Sequence, residues 1–598
     1  MQYRELPLCC PRILIATLYS LCENELVLNS RKEDNHRDPA NLIELLEDSS
    51  STFNTKIAME LRSEDELIEI SYQELMQHAV MVAEELVKIG IQSSDRVAVL
   101  SENRPEWAIA YFGILVSNAV AVPLDIRLKG MELAYILNDC KAKAVFISRK
   151  YLPLADNLRE SCSTIKYIAC LDDVLDRGKP AHMSQFSREV DHPRGASSDV
   201  AMIVYTSGST GLPKGVELTH SNLLFEIKAF RHILSVGTKD RILSVLPLNH
   251  ALELICGLLG PLHSGASIVY VQNLRPDAII GELQRTNPTI VTVVPLLVNL
   301  IYRSILKKIH QGTMLRKVLF RIQYILFSVM KRIDIHAGRS LFDELNQLVG
   351  GALRCFICGG APLDSEIAGR LDLMGITVLQ GYGLTEASPI IAANTFDNNK
   401  IGSVGKPLPG IEVRIVKERE ADTVGEMAAK GPNVMKGYLN ERKRTDEVIR
   451  DGWLYTGDIG YMDREGYLFV TGRSKSMIVT AGGKKVQPEE IERLLLKSPY
   501  IKEVCVVGKR AEGLQKGGEE VYAVIVPDLD YLNVKADFSE VTDAELRKII
   551  AGMIQETSKG IADYKTIAGF ELWREELPKT STGKIRRDDI ARQINQKI

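Results

Sequence analysis

What the sequence lacks narrows the field first. Its ten cysteines follow neither a disulfide-module nor a zinc-ligand spacing, which excludes a small disulfide scaffold and fits reduced thiols in a cytoplasmic compartment. Net charge is close to absent: 74 Lys and Arg against 77 Asp and Glu leave −3. That balance gives no global basic signature, so nucleic acid is not an expected partner. Long apolar runs are missing as well. The stretch 244–271 is interrupted by Pro247, Asn249, His250, Glu253 and Gly257, and 286–302 is short and carries Pro295, so both read as buried core rather than membrane spans. The apolar run 13–19 lacks a small-x-small cleavage site, and no signal peptide is expected from it. No internal repeat is evident.

What is present is a long chain of ordinary globular composition, 45% hydrophobic and 25% charged over 598 residues, room for about three to six compact units. Short apolar runs of strand length at 96–100 (RVAVL), 144–147 and 200–205 alternate with longer amphipathic stretches such as 72–88, a pattern of parallel sheets flanked by helices. The runs 503–507 and 521–526 begin a smaller α+β set. The boundary between the large and small parts is expected at 473–475, dividing the chain into an extension (1–38), a body (39–472) and a C-terminal domain (473–598).

One charge asymmetry survives the averaging. From 284 to 333 there is no Asp or Glu, while Arg285, Arg303, Lys307, Lys308, Arg316, Lys317, Arg321, Lys331 and Arg332 are all basic. Within 314–333 the bases are interleaved with Leu315, Val318, Leu319, Ile322, Ile325, Leu326 and Val329 at helical spacing. Such a helix either lies on an anionic bilayer through 303–333, each surface base contributing about 1 kcal/mol, or packs on the core with a solvated basic face.

The loops carry the chemistry. After the apolar run 200–205 comes TSGSTGLPKG (206–215), rich in glycine and hydroxyls and holding Lys214. Glycines let backbone N–H groups turn toward an anion, and the hydroxyls and ammonium add donors and charge, the makings of a phosphate cradle. It is not the G-x-x-x-x-G-K-[ST] loop, because Pro213 stands five residues after Gly208, and GYGLTE (381–386) is not G-x-G-x-x-G. Cys355 and Cys358 form a lone CxxC among apolar neighbours, which reads as structural. Strand-like 459–462 and 467–471 flank the turn DREG (463–466). A hairpin folded there brings Asp458 and Arg473 together at its open end.

YTSGSTGLPKG (205–215) resembles the signature loop of the adenylate-forming superfamily of acyl-CoA synthetases, amino-acid adenylation domains and luciferases. GGAPL (359–363), GYGLTEAS (381–388), YTGD (455–458), GRSK (472–475) and PKTSTGK (578–584) follow in the family's order, and the likeness spans about 40–598. It implies an α/β fold: a large body of several subdomains with mixed and parallel sheets flanked by helices, a β-barrel-like subdomain, and a small mobile α+β C-terminal domain. It also implies a two-step reaction on ATP, with Mg²⁺, in which a carboxylate becomes an acyl-adenylate and a thiol then displaces AMP.

The resemblance assigns roles by motif. Thr206, Ser207, Gly208, Ser209, Thr210, Gly211 and Lys214 would hold the outer phosphates. Gly359, Gly360 and Ala361 would form the adenine floor, with Tyr382, between Gly381 and Gly383, stacked above it. Thr385 and Glu386 would serve the α-phosphate and Mg²⁺, for which one carboxylate beside substrate phosphates suffices. Asp458 and Arg473 would hold the ribose, Lys584 would enter the site from the C-terminal domain, Lys475 would be the hinge, and Gly482 would line the thiol channel.

LPLNHALE (246–253) is similar to the acyl-pocket mouth of long-chain fatty acid ligases, where His250 would gate or line the pocket. The aspartate that amino-acid adenylation domains carry in this region is missing from 241–274. The reading is therefore a ligase joining a fatty acid to coenzyme A. Transfer to an acyl carrier protein, for which Lys579, Lys584, Arg586 and Arg587 leave a docking face open, is the near alternative. A non-catalytic lipid-binding protein on the same fold is the distant one.

Overall fold

The computed structural model describes residues 38–62, 67–176, 195–207, 212–311, 314, 318, 321–322, 324–325, 347, 349–510, 518–529, 531–532, 542–559, 561–580 and 584–596. The chain divides after Ala40, and the unit Asn41–Ile598 carries the architecture described here.

Two large sheets form its body. In the seven-stranded sheet, Arg96–Leu100 lies between Val120–Pro123 and Ala144–Ile147, all parallel. Four of the five residues of Arg96–Leu100 and all of Ala144–Ile147 are buried. Strands covered on both faces have no solvent side, so they read as continuous rather than alternating apolar runs. The sheet continues through Tyr167–Cys170 at one edge and through Val200–Ser207, Pro213–Thr219 and Gly437–Tyr438 toward the other. The nine-stranded sheet has a parallel centre running from Thr377–Tyr382 through Cys355–Cys358, Ile290–Val293, Arg241–Ser244 and Ser267–Tyr270 to Ile57–Arg62, with short antiparallel strands at its edges.

Helix Tyr72–Lys88 occupies the stretch its periodicity marks. Ser71 and Glu74 close a capping box at its start, and Leu75, Ala79, Val82, Ala83 and Leu86 form its buried face. It packs beside Pro105–Val116, a helix in which every residue is buried.

A third, antiparallel sheet contains Trp453–Met462 paired with Leu468–Arg473, and Asp458 stands opposite Arg473 as the hairpin requires. The C-terminal part sets Ile501–Arg510, Glu519–Pro527 and Gly569–Leu572 in a small sheet with separate apolar clusters on its two faces. The last helix starts at Arg587, because Ile585 before it bridges to Lys579 and closes the loop between them.

Candidate functional site

Strand Val200–Ser207 carries Thr206 and Ser207 into the ladder, where they pair with Lys214 and Pro213. The ten-residue loop of the sequence reading is thus shorter: its hydroxyl residues supply the last rungs of a hairpin. Gly208, Ser209, Thr210 and Gly211 lie outside the described residues.

Lys214 projects from this hairpin over the Tyr438 ring, with its ammonium 4.1 Å from the centroid. The Tyr438 hydroxyl donates to Glu386 Oε1 at 2.8 Å. Burial lowers the Lys214 pKa, Glu386 opposes that shift, and the charge of Lys475 reinforces it. Lys475 is exposed, just past strand Leu468–Arg473.

Thr385 and Glu386 sit in a single 3-10 turn, Thr385–Ala387, held from behind. Asn433, fully buried, donates to the Ala387 and Ile390 carbonyls at 2.9 Å each, and Met435 N–H donates to the Glu386 carbonyl at 2.9 Å. Glu226 receives the Ile390 N–H at 3.3 Å, and complete burial pushes its pKa well up. Gly383 has a packing reason of its own: a Cβ there would meet the Pro389 carbonyl oxygen at 1.8 Å.

The C-terminal ends of the neighbouring parallel strands complete one side. Gly359, Gly360 and Ala361 follow Cys355–Cys358 directly; Gly359 is buried, and Gly360 has a φ of +82°. A Cβ on Gly359 would press the Leu252 side chain at 3.0 Å. Cys355 and Cys358 point into clusters on opposite faces of the sheet, which removes the CxxC as a metal or redox pair. Gly381 and Tyr382 end the next strand, Thr377–Tyr382.

Tyr382 joins the Asp458–Arg473 pair. Asp458 is 4% exposed; its Oδ1 receives Arg473 Nε at 2.7 Å and its Oδ2 receives the Tyr382 hydroxyl at 2.8 Å. Desolvation works against the Arg473 charge, but Asp458 outweighs it and the pKa rises. Burial and the same carboxylate hold the Tyr382 phenol well above its ordinary value.

Lys584 reaches this group from the C-terminal part. Lys584 is itself exposed to solvent, yet the protein packed around its ammonium and the charge of Arg473 bring its pKa down to about 8, against the pull of Asp458 and Glu489. Its loop is closed by Thr580, whose N–H donates to the Lys584 carbonyl at 2.8 Å while its Oγ1 accepts from Lys584 N–H at 3.2 Å. Gly482 lies on an exposed turn, with nothing within 4 Å of where a Cβ would be.

His250 precedes an apolar tract, half-buried at Leu252 and buried throughout 253–262, in which the backbone makes a π turn over Leu254–Leu259. Burial lowers the His250 pKa to about 4; Asp125 opposes the shift and Arg127 adds to it. Glu253 is buried in the same tract with its pKa raised to about 8, and its Oε1 receives the Ser244 hydroxyl at 2.6 Å. Asn103 donates to Ser244 Oγ at 3.0 Å and accepts from Leu248 N–H at 2.9 Å, which ties down the segment leading to His250.

The arrangement suits a nucleotide that brings its own metal. Among the described residues no three His, Cys, Asp or Glu side chains are grouped to cage an ion, whereas Mg²⁺ on phosphates needs one or two carboxylates. Glu386, oriented by Tyr438 and beside Lys214, is a carboxylate that could hold it. Sequence reasoning missed Tyr438, Asn433, Glu226, Asn103 and Glu253. Tyr438 and Asn433 lie in GPNVMKGY (431–438), outside the motifs that carry the family resemblance.

Residues 46–439 match the model of the AMP-binding enzyme family, and 490–584 match that of the AMP-binding enzyme C-terminal domain. The chain is 29% identical over 555 residues to a long-chain-fatty-acid–CoA ligase of Mycobacterium tuberculosis, covering 86% of this chain and 89% of the relative. It is also 29% identical to the indoleacetate–CoA ligase of Aromatoleum aromaticum, over 88% of this chain and 94% of that one. Among solved structures, ATP-bound MatB from Rhodopseudomonas palustris superposes with a TM-score of 0.73 at 26% identity, covering 93% and 99% of the two chains.

Proposed function

From the premise that the chain belongs to the AMP-binding enzyme family, we propose that it activates a fatty acid as an acyl-adenylate and passes the acyl group to the thiol of coenzyme A. In the first step a carboxylate oxygen of the acid bonds to the α-phosphorus of ATP and pyrophosphate leaves. In the second the thiol sulfur bonds to the acyl carbon, its proton is lost, and AMP leaves.

The observation that carries this reading is the convergence of Lys214, Glu386, the Asp458–Arg473 pair and Lys584, from four separate parts of the fold, around one place. Such a set of fixed charges serves a reaction in which charge develops on phosphate; a lipid-binding protein needs none of it. Thr206, Ser207 and Lys214 hold the departing phosphates, and Thr385 holds the α-phosphate. Glu386 holds Mg²⁺, which when bound neutralises phosphate charge. Gly359, Gly360 and Ala361 admit the adenine below Tyr382, and Asp458 with Arg473 binds the ribose. Lys584 stabilises the attacking carboxylate and the α-phosphate. The C-terminal domain, 473–598, pivots on Lys475 to bring Gly482 to the thiol.

A fatty acid is favoured by the neutral His250 at the head of an apolar tract and by the fatty-acid ligases among the relatives. Isotopic pyrophosphate exchange tests the reading. Exchange that depends on ATP, Mg²⁺ and a long-chain acid supports it, and no exchange with fatty, aromatic or amino acids overturns it.

We place the enzyme in the cytoplasm, in contact with the inner membrane surface. The described positions 314, 318, 321, 322, 324 and 325 are helical. Met314, Val318, Ile322 and Ile325 are 78%, 47%, 56% and 60% exposed. At about 100° per residue these four span roughly 80° of arc, with Arg321 about 20° beyond one edge of it. Apolar positions that would be buried in a core-packed helix thus face outward, in a stretch free of acids. Co-sedimentation with vesicles containing anionic lipid, lost in I322S/I325S, is expected; equal sedimentation of the variant contradicts it. No helix among the described residues is long and apolar enough to cross a membrane.

A further inference from the structure

The turn after strand Val120–Pro123 carries a side chain that touches the Lys584 loop. Asp125 Oδ1 accepts from Arg127 N–H at 2.9 Å, and the Asp125 carbonyl accepts from Leu128 N–H at 3.1 Å. This turn sets the Arg127 backbone from within the body, without help from the C-terminal part. From there Arg127 Nη1 donates to the Thr580 carbonyl at 2.9 Å, across 453 residues of sequence. Thr580 already gives its N–H and Oγ1 to the backbone of Lys584. The guanidinium therefore grips the residue that closes the loop presenting the Lys584 ammonium to Arg473 and Asp458. On its other side Arg127, with Asp125, acts electrostatically on His250. One cation thus stands between the proposed mouth of the acyl pocket and the lysine loop.

We infer that Arg127 is a positioning residue, a latch that holds the Lys584 loop against the body for adenylation and lets go when the C-terminal part turns toward the thiol step. This rests on the adenylation role proposed for Lys584. The physical form of the contact suits a latch. A single charge-assisted hydrogen bond from an exposed side chain to a backbone carbonyl is directional, yet weak enough to break in every turnover. Arg127 meets Thr580 rather than the reacting atoms, so its effect reaches the chemistry only through the placement of Lys584.

The test measures the two half-reactions separately on the full chain carrying Arg127→Ala. ATP–pyrophosphate exchange reports adenylation, and single-turnover transfer from purified acyl-adenylate to coenzyme A reports the thiol step. The expected result is exchange slowed about tenfold, the scale of one charge-assisted hydrogen bond, with transfer and the thermal midpoint unchanged. Arg127→Lys, which keeps the charge without the planar fork, is expected to recover part of the loss. Equal slowing of both half-reactions, which a packing defect would give, overturns the latch, and so does unchanged exchange. Wild-type protein that exchanges with no acid overturns the proposed function instead, and the latch with it.

Discussion

Lys584 offers the sharpest quantitative prediction, because its environment sets both whether it acts and over which pH range. Its pKa is brought down to about 8, first by crowding and then by the Arg473 charge. Only the protonated ammonium can stabilise phosphate charge. About 90% of the side chain is charged one pH unit below that value and about 10% one unit above it. The kcat/KM for pyrophosphate exchange, which reports the free enzyme, should therefore level off below about pH 7. Above pH 8 it should fall about tenfold per unit, where a lysine of ordinary pKa gives no limb. Removing the ammonium altogether in Lys584→Ala should cost on the order of 10²–10³ in exchange. Lys584→Arg carries a charge that does not titrate in this range; its plateau is lower but the limb near 8 disappears. Arg473→Gln slows the enzyme for its own reasons, yet it removes a repelling charge, so the limb should move to higher pH. Exchange profiles from pH 6 to 9.5 on the four proteins decide it. An unchanged rate in Lys584→Ala, a limb that persists in Lys584→Arg, or a limb moved downward in Arg473→Gln would refute the reasoning.

Further outcomes follow from other contacts. Asp458→Ala strips the partner from both Arg473 and Tyr382 and should weaken ATP binding by about 1–3 kcal/mol, read as a raised KM for ATP. Tyr438→Phe keeps the ring under Lys214 but loses the hydrogen bond to Glu386. Partners of metal-binding carboxylates are worth about 10–100-fold in affinity, so the Mg²⁺ concentration that half-saturates exchange should rise by about tenfold or more. Glu253, with its pKa raised to about 8 by burial, folds as the neutral acid. Its folded pKa exceeds the unfolded value of about 4.3, so its contribution is full below that pH and is lost progressively as pH rises through about 8. Glu253→Gln should flatten that loss. Denaturant unfolding from pH 5 to 8.5 should show the variant gaining on wild type by about 4 kcal/mol, and a constant difference across that range would contradict the buried neutral acid.

Much of this was legible in the sequence where the signal is local. RVAVL at 96–100 and the run 144–147 are strands at those bounds because a strand buried on both faces has no polar positions to blur its ends. Asp458 and Arg473 meet because a hairpin's register follows from its turn. Other features are carried by partners far apart in the chain, and no short window holds them. Tyr438 finds Glu386 across 52 residues, and Glu226 finds Ile390 across 164. Arg127 reads as one more surface base until Thr580 is brought to it. The hydroxyl run at 206–207 reads as loop by composition, yet ladder pairing with 213–214 extends the strands through it. Ile585 likewise has a backbone partner in Lys579 that its own sequence does not announce.

The central claim is tested most directly by product analysis of wild-type protein with ATP and Mg²⁺, crossing a panel of fatty, aromatic and amino acids with coenzyme A and acyl carrier protein as acceptors. The account predicts AMP, pyrophosphate and acyl-CoA in equal amounts, fastest with long-chain fatty acids. AMP formation with no acid in the panel would contradict it, as would acyl transfer to the carrier protein with none to coenzyme A.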